Sequence, residues 1–253
     1  MRQLNDKKLK FYEKKHRYNV GKKELTSVTT FISTLFEKFD EKDMARKLNK
    51  MKGTKWYKLG VRKILKLWQD KREYGTLVHN QIETFINSEK MLDEHNTDPK
   101  AKQAINYYLK TMSELDTPTP YAELRIYSEK YGLAGTIDLL ITHNDEGERK
   151  ATLVDWKTNE KFTTTGYNGK KGISKYTKNF DDCHLHKYGL QLMIYSKILE
   201  EEYGYKINKN LLVHLTDNEV TAYEVKYEIL FELVNKILEE RKTEWQRKKM
   251  NKD

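Results

Sequence analysis

The sequence predicts an α/β fold of the mixed α+β kind: a mixed sheet flanked by helices, with a basic helical region on its N-terminal side. Three observations predict it. Residues 40–112 carry apolar residues at three-and-four spacing among many lysines and arginines, the period of helices. Residues 121–157 change to alternating or continuous apolar runs divided by turn residues, the period of strands. A helical stretch, a strand pair and a last amphipathic helix follow, so helices and strands are interleaved as in a sheet with helices packed on it. The chain divides into residues 1–116, an N-terminal hairpin and basic helical region, and residues 117–253, the core with its C-terminal helix. The helix over 75–88 is contributed by the first part to the second.

The elements follow from the N-terminus. Residues 10–27 alternate around Gly21 and read as a short hairpin. Thr26 and Ser27 can cap a helix over 28–36. Ile64, Leu65, Leu67 and Trp68 form the apolar stripe of the basic helices, and a further helix covers 99–112. Pro118 and Pro120 end the helical part. In 121–128, Tyr121, Glu123, Arg125 and Tyr127 fall on one strand face and Ala122, Leu124 and Ile126 on the other. Strands over 133–142 and 151–157 are joined by a polar turn containing Gly147. Residues 158–184, rich in Gly, Thr and Lys, read as a long mobile loop. The helix over 185–203 stops at Gly204, a strand pair turns at Asp217 and Asn218, and Ile229, Leu230, Leu233, Val234, Ile237 and Leu238 line the last helix.

Charge narrows the function. The 253 residues include 48 Lys and Arg against 38 Asp and Glu, a net charge of +10 that favours a polyanionic partner. The single cysteine, Cys183, rules out an internal disulfide and a cysteine-held iron–sulfur cluster. No apolar run approaches the roughly 20 residues of a membrane span. The polar N-terminus has no signal-peptide core, so no membrane partner and a cytoplasmic or nucleoid location are expected, with a mitochondrial one left open.

The chemistry concentrates in 132–157. Asp138 lies between Ile137 and Leu139, and Asp155 follows Leu153 and Val154. A carboxylate in so apolar a strand is costly unless paired, hydrogen-bonded or bound to metal. Asp155 and Lys157 share a strand face, and the hairpin can bring Asp138 alongside Asp155. Two carboxylates and a lysine suit phosphodiester hydrolysis, with Mg²⁺ or Mn²⁺ on the carboxylates and the lysine orienting or deprotonating water. A buried Asp–Lys salt bridge that only stabilises the sheet is the plainer alternative.

With Gly135-Thr136-Ile137-Asp138, Leu153-Val154-Asp155-Trp156-Lys157, Gln191-Leu192-Met193-Ile194-Tyr195 and Gly75-Thr76-Leu77-Val78-His79, the chain resembles the P-D-(D/E)-x-K nuclease superfamily in its RecB-like exonuclease branch. The run from His16-Arg17-Tyr18 to Ser27-Val28-Thr29-Thr30 is similar to the opening of phage-type and mitochondrial-maintenance exonucleases of that branch. Ile137 stands where the family's proline would be. The resemblance implies a restriction-endonuclease-like αβββαβ core and an Mg²⁺- or Mn²⁺-dependent deoxyribonuclease. Asp138, Asp155, the Trp156 carbonyl and His79 would be metal ligands and Lys157 the catalytic lysine. Glu123, one strand earlier, is a candidate for direct or water-mediated metal binding, or an exposed strand carboxylate. Gln191 and Tyr195 can contact the DNA backbone or brace the lysine, or Tyr195 can simply pack in the core.

The expected partner is DNA, as ends or single strands, alongside replication or recombination proteins. Candidate DNA contacts are Lys55, Trp56 and Tyr57 on the basic helices and Lys161, Lys170, Lys171 and Lys175 in the long loop. Solvated lysines and core aromatics are the alternative for the helices, and plain disorder is the alternative for the loop. Exonuclease action is the expectation; a structure-specific endonuclease of the same fold and an inactive nucleic-acid-binding module are the alternatives.

Overall fold

The computed structural model describes residues 1–88, 93 and 95–250. The order is β1 (Leu9–Tyr12), β2 (Arg17–Val20), β3 (Lys23–Ser27), α1 (Val28–Ser33), α2 (Glu41–Lys50), α3 (Val61–Ser88), α4 (Pro99–Ser113), β4 (Thr119–Ser128), β5 (Leu133–Asp145), β6 (Glu148–Lys157), α5 (His184–Ile198), β7 (Lys206–Leu215), β8 (Val220–Glu224) and α6 (Tyr227–Met250). The strands form one mixed eight-stranded sheet in the order β1-β2-β3-β5-β6-β7-β8, with β4 also paired to β5. β3 runs parallel to β5 and β6 parallel to β7; the other pairs are antiparallel. The mixed α+β architecture is the one expected. Among the described residues no helix is long and apolar enough to cross a membrane.

Helices cover both faces of the sheet. Leu140, Leu153 and Leu212 pack against Val28 and Phe31 of α1, Leu190 and Ile194 of α5 and Val234 of α6. Leu139, Ile141, Val154, Trp156 and Val213 pack against Val78 and Ile82 of α3 and Ala104 and Tyr108 of α4. With both faces buried, β5, β6 and β7 read as continuous apolar runs, as central strands do. α1 is short but capped: Ser27 Oγ accepts from the Thr30 N–H at 3.0 Å. β5 and β6 are joined by Glu146 and Gly147 alone, with φ of 50° and 79°, the conformation of a tight hairpin turn.

Three expectations change. The N-terminal hairpin is a three-stranded meander, because Glu13–Lys15 form a second reversal closed by His16 at φ 47°. No Gly or Pro announces that turn; a non-glycine residue carries the left-handed conformation instead. The later half of α3 covers the sheet, and β1–β3 extend the same sheet. The loop over 158–183 is pinned: Thr177 Oγ1 and the Ile173 N–H both donate to the Leu35 carbonyl, at 2.7 and 3.0 Å. Finally, β4 does not alternate evenly, and the break falls at the functional site.

Candidate active site

The antiparallel ladder of β5 and β6 ends at Leu139↔Val154. One step further along the same register Asp138 and Asp155 face each other, but no ladder bond joins the strands there. β5 turns its earlier residues, Leu133 and Ala134, to β3 instead. The sheet therefore splits, and the two carboxylates stand at the fork. The Trp156 N–H bridges the opening by donating to Asp138 Oδ2 at 2.9 Å. Asp155 is buried, and Lys157 Nζ lies 2.5 Å from its Oδ2. The ammonium thus faces one oxygen of the buried carboxylate directly.

Glu123 sits opposite Asp138, between the pairs Ala122↔Leu139 and Leu124↔Ile137. Its φ is 48°, a conformation that costs a non-glycine residue about 1–3 kcal/mol and gathers at functional positions. The consequence is visible on either side. Ala122 packs with the α3–α4 core, whereas Leu124 packs with the α5 core, although two residues on a regular strand would share a face. This inversion brings Glu123 beside His79, which α3 delivers next to the buried Val78. His79 Nδ1 is 3.9 Å from Glu123 Oε1 and 3.7 Å from Asp138 Oδ2. One ligand atom from each of the three lies within 4.8 Å of the others.

Electrostatics at the fork favour a cation. Burial pushes the Asp138 carboxyl up, against the opposing pull of His79 and Lys157. Burial likewise pushes Asp155 up to about 6, with Lys157 opposing and Asp138 adding to it. Burial alone would lower Lys157, but Asp155 and Asp138 outweigh it and raise it, so the amine is held as the cation. His79 is raised because Asp138 and Glu123 outweigh its burial. An imidazole nitrogen and clustered carboxylate oxygens fit a divalent ion that accepts oxygen and nitrogen donors. Such an ion needs deprotonated carboxylates. Mn²⁺ affinity is therefore expected to fall as pH drops below about 6, where Asp155 holds a proton the ion must displace. Calorimetric titrations at two pH values check this; an affinity flat between pH 5 and 7.5 would contradict it.

α5 supports the fork from one face. Gln191 Nε2 donates to Asp155 Oδ1 at 3.3 Å, so Gln191 braces a carboxylate, not the lysine. Tyr195 is buried with its ring over Gly135: a Cβ there would meet the phenol oxygen at 2.4 Å. Burial raises the Tyr195 phenol well above its ordinary range, and the Thr136 backbone bonds to it. It shapes β5 from beneath and has no open path to a substrate. One site residue escaped sequence reasoning. Tyr188 carries Lys157 Nζ over its ring at 4.0 Å and is itself stacked on His184 at 5.4 Å and 15°. Its spacing, three before Gln191 on one helix, was the available signal.

The remaining candidates lie elsewhere. Trp156 turns its indole to the α4 side, edge-on to Tyr107, and meets the fork through its backbone. Lys55 Nζ approaches Glu160 at 3.9 Å, and Trp56 packs edge-on to Trp68. Tyr57 is half-buried beneath Lys58, whose Nζ is 5.3 Å from its ring centre. In the loop, Lys161 is exposed, and Lys170, Lys171 and Lys175 pair with Glu37, Asp181 and Glu240. Lys170 and Lys175 join the loop to neighbouring segments, and the Lys171–Asp181 pair lies within the loop.

No protein-family model matches the chain, and no curated protein matches it. A solved structure described as the crystal structure of SSO0001 aligns over 84% of this chain and 74% of its own, at 12% identity and a TM-score of 0.33, a likeness too loose to carry an argument.

Proposed function

We propose that this protein is an Mg²⁺- or Mn²⁺-dependent deoxyribonuclease of the P-D-(D/E)-x-K type, acting as an exonuclease on DNA. The reading rests on one observation. Two carboxylates face each other where β5 and β6 part, with a charged lysine against one and a histidine and a strained glutamate against the other. A binding module gains nothing from carboxylates at that place, since they repel phosphate unless a cation lies between.

His79, Glu123, Asp138, Asp155 and the Trp156 carbonyl are the groups that would hold the ion. Bound there, a divalent ion supplies Lewis-acid polarisation of a phosphate and a water of lowered pKa. The chain's own part is positioning and charge. Asp138 is aimed by the Trp156 N–H and Asp155 by Gln191. Lys157, kept protonated by its acidic neighbours, donates N–H bonds and offsets negative charge growing on the phosphate oxygens. With an ion on the carboxylates, which offsets the charges that raise it, the amine would orient or deprotonate the attacking water. The net charge of +10 draws the polyanion to the surface.

Incubation of wild type and Asp138→Asn with linear and closed circular DNA, with and without Mn²⁺, tests the proposal. Cleavage of linear DNA is expected with Mn²⁺ only, and none with the variant. Metal-independent cleavage would defeat it, and equal rates on circles would replace exonuclease by endonuclease. His79→Ala removes the nitrogen donor and is expected to weaken Mn²⁺ at least tenfold, about what loss of a residue bracing a metal ligand costs. The shift of Tm with added Mn²⁺ reads this directly, and an unchanged titration would remove His79 from the ligand set.

A further inference from the structure

Two clefts outside the metal cluster meet at one residue pair. The first, of about 350 Å³, opens beside Gln191 and Tyr188, which touch Asp155 and Lys157, and reaches Phe36, Lys38 and Phe39. The second, of about 700 Å³, lies between α2 and α3 and is lined by Lys38, Phe39, Lys42 and Arg62, among others. Sharing Lys38 and Phe39, they adjoin and run from Gln191 and Tyr188 to the basic helices, divided by the Phe39 ring. Phe39 is 60% exposed in the segment between α1 and α2. Its ring stands 6.0 Å from that of Trp68, which in turn backs onto Trp56. The charges around it differ in kind. Arg72 is paired with Glu41 and Lys66 with Asp70, whereas the exposed Lys38, Lys42 and Arg62 make no ion pair among the described residues.

An exposed aromatic ring buttressed by a tryptophan and flanked by unpaired cations matches unpaired bases on a phosphate backbone. The ring meets a base face, and the cations meet phosphates. A duplex keeps its base faces stacked and offers the ring nothing. We propose that this path holds a single strand of DNA, with one base stacked on Phe39 and adjoining phosphates on Lys38, Lys42 and Arg62. The inference rests on the proposed nuclease reading and adds to it the form of the substrate and the residue that sorts it.

The test measures binding in EDTA, so that nothing is cut, by fluorescence anisotropy of a labelled thymidine oligonucleotide and of its matched duplex. Phe39→Ala is expected to weaken the single strand about tenfold, within the range for loss of one base–aromatic stack, and to leave the weaker duplex binding unchanged. Phe39→Trp, which keeps a ring, is expected to restore single-strand affinity. Photo-crosslinking of a 5-iodouracil strand should label Phe39. Single-strand affinity of Phe39→Ala within twofold of wild type would overturn the inference, as would a wild type that binds duplex as tightly as single strand. The two readings fail separately. Phe39-dependent binding without Mn²⁺-dependent cleavage sinks the nuclease alone; cleavage with Phe39-independent binding sinks the strand path alone.

Discussion

Lys157→Ala is expected to reduce kcat by about 10²–10³, the usual consequence of removing one preorganised group that meets charge developing in the transition state. The amine lies 2.5 Å from Asp155 Oδ2 and 4.0 Å from the Tyr188 ring centre, with most of its side chain out of water. Its loss also leaves the Asp155 carboxylate buried with Gln191 as its side-chain donor. Breaking a buried pair by removing one partner costs about 3–5 kcal/mol, so the metal-free variant should also unfold at lower denaturant concentration. On the proposed reading a bound Mn²⁺ would take over the lost charge compensation, so saturating metal should recover stability without recovering rate. Single-turnover cleavage and urea unfolding, each with and without Mn²⁺, separate the two effects. Undiminished cleavage by the alanine variant would reduce Lys157 to a structural ion pair.

Gly135→Ala should disturb the candidate site without altering any polar group. Its Cβ would lie 2.4 Å from the Tyr195 phenol oxygen and 2.5 Å from a ring carbon of that buried side chain. Overpacking of this kind costs about 1–3 kcal/mol. At about 2–4 °C per kcal/mol for a chain of this length, the Tm falls by several degrees. The displacement is transmitted three residues on, to Asp138, so activity should drop further than stability. Tyr195→Leu removes the obstructing ring, and the double variant should be more stable than the sum of the two single changes. Strict additivity would show that the ring and the glycine do not meet.

Much of this architecture is legible in the sequence, for a local reason. Helix and strand periods, the cap at Ser27 and the turn at Gly147 depend on neighbours a few residues apart. The placing of Asp138 opposite Asp155 is of the same kind, since a two-residue turn between regular strands settles which positions meet. So is the shared face of Asp155 and Lys157. Other features depend on packing between distant segments. His79 reaches Asp138 because α3 crosses the sheet where β5 and β6 divide, and Glu123 turns toward it through a left-handed backbone that no glycine marks. The loop lysines looked free because their acidic partners, Glu37, Asp181 and Glu240, are joined to them by the fold and not by a recognisable spacing. Sequence by itself determined the elements and the two carboxylates with their lysine, since both follow from short-range periodicity. Tertiary structure alone decided the third side of the cluster, the ring beneath Lys157 and the exposure of Phe39, since each depends on which surfaces compete for burial once the chain has closed on itself.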